Sequence, residues 1–275
     1  MKVLTRALLL LCALATPALE AAAETMDSFA CLLSMHEKKV RHDTENSCRV
    51  AIIEEQDLMV FLIGQEYINL GRLGDAKNFY RSYLNSGYHE GAVLGLWAIE
   101  RFILGNVTDE DPDIRRDQKY RQVLREASLR GDRMAQYILK GYKSKSLARI
   151  KSMAEEGGNV YAAVHYIFVG PESIREKREL IRMAYRSGYP MGDVMQSIYD
   201  SVVKQKGDDD ADLRKAYDLA RSAAASGSQC ANLPLSIFYQ HGKAVNKDVK
   251  EATKLFSLAK KQCWYAQKNS DVAWR

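Results

Sequence analysis

Residues 235–263 hold the pattern that most restricts the fold of this chain. Leu235 and Tyr239 are four residues apart and would share one face of a helix. Gly242 follows and can adopt the left-handed conformation that ends a helix. Asp248 is a suitable N-cap for a second helix, whose apolar positions recur at helical spacing: Val249, Ala252, Leu255, Phe256 and Ala259. The stretch therefore predicts a helical hairpin.

The anchors of this hairpin recur upstream at irregular intervals. Residues that would close a hairpin occur at positions 87, 131, 158, 188, 227 and 263, and all but the first of these have an alanine four residues earlier. A single hairpin cannot bury its own apolar face, so the recurrence predicts about six stacked units. No alternating strand pattern appears. The predicted class is all-α, an α/α solenoid of stacked antiparallel helical hairpins.

The stretch 235–263 resembles the Sel1-like repeat, a relative of the tetratricopeptide repeat with the pattern L-G-x-x-Y-x-x-G-x-G-V-x-x-D followed by K-A-x-x-W-Y-x-x-A-A-x-x-G. Ser236 and Ala244 replace two family glycines, and Cys263 replaces the closing one. The segment 63–67, I-G-Q-E-Y, matches the start of the repeat. The resemblance implies a binding scaffold in which tyrosines and glycines of the repeat pattern pack the hairpins together: Tyr67, Tyr166, Tyr199, Tyr239, Gly87, Gly131, Gly188 and Gly227.

The first 23 residues are typical of a secretory signal peptide. Lys2 and Arg6 precede an apolar run over 7–15, and three alanines end at Ala23. We expect cleavage after Ala23 and a periplasmic or secreted mature chain without a transmembrane segment. The rest divides into an N-terminal helical capping region (24–62), the repeats (63–263) and a C-terminal tail (264–275). Two helices, 26–41 and 47–70, are predicted around a polar break at 42–46.

Four cysteines remain after Cys12 is removed with the signal peptide. An even number suits an oxidising compartment, and the absence of a C-x-x-C pair argues against a redox or zinc site. Of three possible pairings we favour Cys230–Cys263, which would join the two ends of one hairpin, together with Cys31–Cys48. Loop-closure entropy gives roughly 3–4 kcal/mol for loops of this size. The resemblance adds that cysteine-rich Sel1-like proteins staple their hairpins in a similar way.

Positive charge is concentrated between residues 115 and 151. This segment has a net charge of +9, from 12 basic and 3 acidic residues, whereas the whole chain carries +5. Charge runs are usually solvated faces, but segregation on this scale favours an anionic partner. An acidic surface of another envelope protein is the first candidate, and an anionic polysaccharide or lipid is the alternative; export argues against nucleic acid. The candidate partner-binding residues are Arg115, Arg116, Lys119, Arg121, Arg125, Arg130, Arg133, Lys140, Lys143 and Lys145.

No residue pattern predicts an active site. The five histidines are scattered, the acidic run at 208–210 lacks the glycine and glutamate of an EF-hand, and no phosphate loop or G-x-S-x-G occurs. We therefore expect no catalytic residue, metal or cofactor. We interpret the chain as an exported adaptor for protein–protein interaction, such as in assembly of a secretion or exopolysaccharide system or regulation of a sensor. The resemblance gives one remote alternative, a β-lactam-binding or β-lactam-hydrolysing enzyme.

Overall fold

The computed structural model describes residues 42–86, 90–108, 112–114, 116–142, 144, 146–203 and 210–268. This part of the chain is helical and contains no β-strand, with one isolated bridge between Asn106 and Cys263. The predicted all-α class is confirmed. The predicted signal peptide and the first predicted helix (26–41) lie outside the described residues.

Thirteen helices occur in the described ranges, and the chain divides into two compact units after Val93, within the third helix. A π-helical turn (Ile99–Ile103) follows the third helix, and a 3₁₀ turn (Gln229–Ala231) precedes the eleventh. The helices are α1 His42–Asn69, α2 Leu73–Ser86, α3 Glu90–Ala98, α4 Gln118–Leu129, α5 Arg133–Lys140, α6 Leu147–Glu155, α7 Val160–Val169, α8 Arg178–Arg186, α9 Pro190–Val203, α10 Asp210–Ala225, α11 Asn232–His241, α12 Val249–Gln262 and α13 Trp264–Lys268.

In the first unit α1 packs on α2 around Tyr80. The Tyr80 hydroxyl donates a hydrogen bond of 2.9 Å to the carbonyl of Phe61 in α1. Gly64 makes this approach possible, because a Cβ at that position would overlap the Tyr80 ring. The glycine of the I-G-Q-E-Y motif is thus explained by close helix packing rather than by backbone conformation.

Helix α1 also corrects the predicted polar break at 42–46. These residues are helical and continuous with the rest of α1. The segment contains neither glycine nor proline. Its polar residues carry only a modest helix penalty, which is too small to end a long helix.

In the second unit the helices form a stack of hairpins. Helices α5, α7, α9 and α11 are neighbours in one row, while each of α4, α6, α8, α10 and α12 packs against the helix that follows it. The apolar face of each helix is therefore buried between its neighbours. This is the α/α solenoid arrangement that the recurring anchors predict.

The connections between hairpins depend on glycines at predicted positions. Gly131, Gly158, Gly188 and Gly227 have φ values of 90°, 58°, 72° and 95°. In this region an L side chain is strained, so glycine is the favoured residue. Cys263 differs from them, with a φ of −90°, and the chain continues directly into α13.

The predicted hairpin at 235–263 is present in the structure. Gly242 ends α11 in the left-handed conformation, with φ 64° and ψ 37°. Asp248 is the N-cap of α12, and its Oδ1 accepts hydrogen bonds of 3.0 Å from the backbone amides of Lys250 and Glu251. Ala244, which stands in place of a repeat glycine, keeps a positive φ of 58°.

The first residues of the predicted C-terminal tail are ordered and packed. Residues 264–268 form helix α13, and Trp264 and Tyr265 are buried. The amide of Trp264 donates to the carbonyl of Gly105 at 2.8 Å, and the amide of Val107 donates to the carbonyl of Gln262 at 2.8 Å. The end of the sixth hairpin is thereby attached to the loop that follows the π-helical turn.

Trp264 and Tyr265 pack against the π-helical turn and α7 in the second unit. The Arg101 guanidinium lies 5.0 Å from the centroid of the Trp264 ring, and the Tyr265 ring stacks on Phe168 at 4.4 Å between centroids. This contact was not predicted from the sequence. The signal available was the W-Y pair directly after Cys263, because adjacent large aromatic residues are usually buried.

Candidate interaction surface

The basic segment forms the outer side of α4 and the elements that follow it. The buried face of α4 consists of Tyr120, Val123, Leu124 and Ala127. Arg121 and Arg125 lie on the exposed side. Lys140 ends α5 and Arg149 lies in the first turn of α6, and both are also exposed. We call these four cations, Arg121, Arg125, Lys140 and Arg149, the basic surface.

Three members of the basic surface line one groove. The groove has a volume of about 480 Å³, within the range of ligand-binding clefts. It lies where the α4–α5 pair meets α6 and the loop before it. The described part of its lining contains no carboxylate and comprises Ile114, Arg121, Ile138, Leu139, Lys140, Tyr142, Ser144 and Arg149.

The members of the basic surface have no carboxylate partner among the residues that the structure describes, in contrast to other cations of the segment. Arg116 Nε lies 3.7 Å from Asp113 Oδ2, and Lys151 Nζ lies 3.0 Å from Glu172 Oε1. An unpaired guanidinium keeps its hydrogen-bond donors available for a ligand carboxylate. The surface therefore combines local positive charge with free donor capacity.

The other predicted partner-binding residues are dispersed. Lys119 and Arg130 are exposed. Arg133 is exposed as well, and its Nη1 donates to the carbonyl of Gly158 at 3.2 Å. Arg115, Lys143 and Lys145 lie outside the described residues, so their part in the surface stays a prediction.

Lys151, at the end of the basic segment, belongs to a polar cluster that has a structural role. Glu172 Oε1 accepts hydrogen bonds from the Tyr166 hydroxyl at 2.7 Å and from Lys151 Nζ at 3.0 Å. The hydrogen bond from Tyr166, with support from Lys151, lowers the pKa of Glu172 to about 2. The cluster ties α6 to the end of α7.

The tyrosines assigned to repeat packing differ in burial. Tyr166 is buried, whereas Tyr67, Tyr199 and Tyr239 are half-buried. Tyr67 packs on Phe79 at 5.7 Å between ring centroids, and the Tyr239 hydroxyl lies 3.3 Å from that of Tyr217. The closing glycine Gly87 lies outside the described residues.

The most deeply buried tyrosines were missed by the sequence analysis. Tyr137 in α5 is fully buried, and its hydroxyl lies 2.8 Å from Nδ1 of His165. Burial raises the pKa of Tyr137 well above its ordinary value. His165 is therefore part of the packed interior.

The structure contains a disulfide between Cys230 and Cys263, which joins the start of the last hairpin to its end. Cys48 is also disulfide-bonded. Its predicted partner Cys31 lies outside the described residues, so the Cys31–Cys48 pairing stays a prediction. No group of three or more His, Cys, Asp or Glu side chains suited to a metal ion occurs in the described ranges.

No helix in the described ranges is both long enough and apolar enough to cross a bilayer.

Comparison with known proteins finds similarity only at the level of solved structures. No protein-family profile matches the chain, and no curated protein matches it. One similar structure is c5321, a protective antigen of uropathogenic Escherichia coli strains that displays an SLR fold. Its identity is 20%, its TM-score is 0.36, and the match covers 78% of this chain and 48% of c5321. The chain thus spans about half the length of that protein.

A second similar structure is a Sel1 repeat protein from Oxalobacter formigenes. Its identity is 20% and its TM-score 0.38, with 86% of this chain and 71% of that chain covered. Sel1 repeats are also the family that residues 235–263 resemble.

Proposed function

We propose that this chain is a non-enzymatic adaptor that binds an acidic surface of another protein through its basic surface. The observation that carries the proposal is the convergence of Arg121, Lys140 and Arg149 on one groove whose described lining residues include no carboxylate. These cations come from α4, the end of α5 and α6, so the fold rather than the sequence order brings them together. Charged groups arranged in this way increase association rates and select partners of opposite charge.

In the second unit, the row of helices α5, α7, α9 and α11 is a less suitable binding surface where α13 covers α7. Trp264 packs there at 5.7 Å from the Tyr142 ring and 6.0 Å from the His165 ring, measured between centroids. A partner on that row would have to displace α13, together with its hydrogen bonds to the Gly105 loop. The outer basic surface requires no such rearrangement.

The proposed cellular setting is the bacterial envelope. The signal-peptide-like first 23 residues and the Cys230–Cys263 disulfide support export to an oxidising compartment. An adaptor in this setting would serve assembly of a secretion or exopolysaccharide system, or regulation of a sensor.

The proposal is tested by in-cell crosslinking of the exported protein with identification of the partner by mass spectrometry. The captured partner is then titrated against wild type and Arg121→Glu with Arg125→Glu. We expect the double variant to lose at least about tenfold in affinity with an unchanged melting temperature, since exposed charges contribute little to folding. Higher salt should weaken the wild-type complex in the same direction.

The matched control is Arg175→Glu with Arg178→Glu, which makes the same change at two exposed arginines outside the basic surface. The proposal fails if both double variants bind as tightly as wild type, or if they lose affinity equally. In the first case the partner uses another surface, and in the second it responds only to net charge.

An anionic polysaccharide or lipid surface is the second candidate, because it too would pair with the unpaired cations of the basic surface. Polygalacturonate and phosphatidylglycerol vesicles serve as probes for these two ligand types. The adaptor function is replaced by direct polyanion binding if two results are obtained together. A probe binds wild type more tightly than it binds Arg121→Glu with Arg125→Glu, and no protein is crosslinked in cells.

A further inference from the structure

Leu129 is an exposed leucine next to the basic surface. It is the last residue of α4, and 87% of its surface is accessible. The other exposed large apolar side chains of the described residues reach at most 50%, at Val249. Single exposed apolar residues are common on proteins, so its exposure alone indicates nothing. Its position relative to the arginines is the informative feature.

Arg121, Arg125 and Leu129 form one stripe along α4. They are spaced by four residues, and all three are exposed on the side opposite the buried face. The stripe is roughly 12 Å long at the helical rise of 1.5 Å per residue. Arg121 also lines the groove, so the stripe and the groove are continuous.

The stripe therefore presents two cations that have no carboxylate partner among the described residues, followed by an apolar end. Protein interfaces combine apolar contacts with polar and charged contacts around them, and the apolar contacts exclude water. A purely ionic polymer would pair with Arg121 and Arg125 but would have no group to cover Leu129. A peptide with carboxylates and a large apolar side chain would satisfy both parts.

We propose that the partner of the basic surface is an acidic peptide segment with a large apolar side chain, which covers Leu129 while its carboxylates pair with Arg121 and Arg125. This inference rests on the proposed adaptor function and specifies the chemistry of the partner. It distinguishes a protein segment from an anionic polysaccharide at the same site.

The test uses two synthetic peptides of equal length and charge, one alternating glutamate with leucine and one alternating glutamate with serine. Their affinities for the folded protein are measured by titration calorimetry at two salt concentrations. The glutamate–leucine peptide should bind at least about tenfold more tightly, because burial of a leucine side chain exceeds the free energy of a tenfold change. That difference should persist at the higher salt concentration, at which ionic contacts are screened.

Leu129→Ser isolates the apolar contact. Because the side chain is exposed, this variant should melt as wild type does. It should lose the preference for the glutamate–leucine peptide and bind the glutamate–serine peptide unchanged. Val249→Ser, at an exposed valine of α12, is the control and should retain the preference. Arg121→Glu with Arg125→Glu should weaken both peptides.

The outcomes separate this inference from the proposed function. If the arginine variant weakens both peptides but Leu129→Ser retains the preference, the partner is recognised by charge alone and the inference is overturned. If neither variant affects binding, the proposed function fails with it. If polygalacturonate or phosphatidylglycerol vesicles bind and neither peptide does at millimolar concentration, the ligand is not a peptide segment and the inference is also overturned.

Discussion

The ring of Tyr142 packs against the ring of Trp264, with 5.7 Å between their centroids, and so connects the C-terminal helix to the groove of the basic surface. Tyr142 lines the groove, yet it is also packed on Trp97 and Phe102 at 5.4 and 5.1 Å between centroids. Trp264 is buried against the Tyr142 ring of this aromatic cluster. Helix α13 is therefore part of the core of the second unit. The shape of the groove thus depends on residues at the very end of the described chain.

Trp264→Ala should strongly destabilise the protein. Trp264 is 6% exposed and contacts Arg101, Tyr142 and His165. Its truncation leaves a cavity, and we expect a loss of about 3–5 kcal/mol in the free energy of unfolding, measured with urea. Phe256→Ala, at a half-buried aromatic of α12, is the control and should cost less than about 2 kcal/mol. A loss below about 1 kcal/mol for Trp264→Ala would show that α13 does not contribute to the core.

The Cys230–Cys263 disulfide should stabilise the last hairpin. Its sequence separation is 33 residues, for which loop-closure entropy gives about 3–4 kcal/mol. Cys230→Ala with Cys263→Ala should lower the free energy of unfolding by that amount. Thiol labelling of denatured, unreduced wild type should leave both residues unlabelled. Labelling of either one would contradict the pairing in the exported protein.

Some features could be predicted because a single local requirement determines them. Gly131, Gly158, Gly188 and Gly227 were predicted to close hairpins, each with an alanine four residues earlier, and each has the positive φ that favours glycine. Asp248 was identified as an N-cap, since a side-chain oxygen before an apolar periodic segment is a local signal. These features do not depend on how the hairpins are arranged.

Other features depend on the packing of residues that are distant in sequence. Arg121, Lys140 and Arg149 were all recognised as basic, but only the packing of α4, α5 and α6 brings them to one groove. The return of Trp264 to Gly105 requires a particular rotation between successive hairpins, which no periodicity encodes. Leu129 could have been found from a helical wheel of α4, because it lies opposite the buried face.

Gly64→Ala tests the role of the I-G-Q-E-Y motif. A Cβ at Gly64 would overlap the Tyr80 ring, which is fully buried and hydrogen-bonded to α1. We expect a loss of about 1–3 kcal/mol in the free energy of unfolding, as for other overpacked cores.

Gly74→Ala is the matched control, because Gly74 lies in α2 with nothing near its Cβ position. The control should be neutral or stabilise by up to about 1 kcal/mol. Equal effects of the two substitutions would refute the proposed close contact.

Asp132 should make folding stability depend on pH between about 4 and 6. Its Oδ1 caps α5 by accepting a hydrogen bond of 2.6 Å from the amide of Ala135, while burial raises the pKa of the carboxyl to about 6. The unfolded chain has the ordinary value of about 3.9. Since the folded state holds the proton more tightly, this group favours folding fully below pH 4 and loses that contribution as pH rises through 6.

Asp132→Asn removes the titrating proton and retains the capping oxygen. The variant should match wild type near pH 4 and exceed it in free energy of unfolding by about 1–3 kcal/mol at pH 7.5, measured by urea denaturation at each pH. Asp248→Asn, the same substitution at the exposed N-cap of α12, controls for loss of a carboxylate at a helix N-terminus. If the difference between Asp132→Asn and wild type is constant from pH 4 to 7.5, the carboxyl does not titrate in this range. In that case the burial of Asp132 is compensated by the backbone amides that it caps.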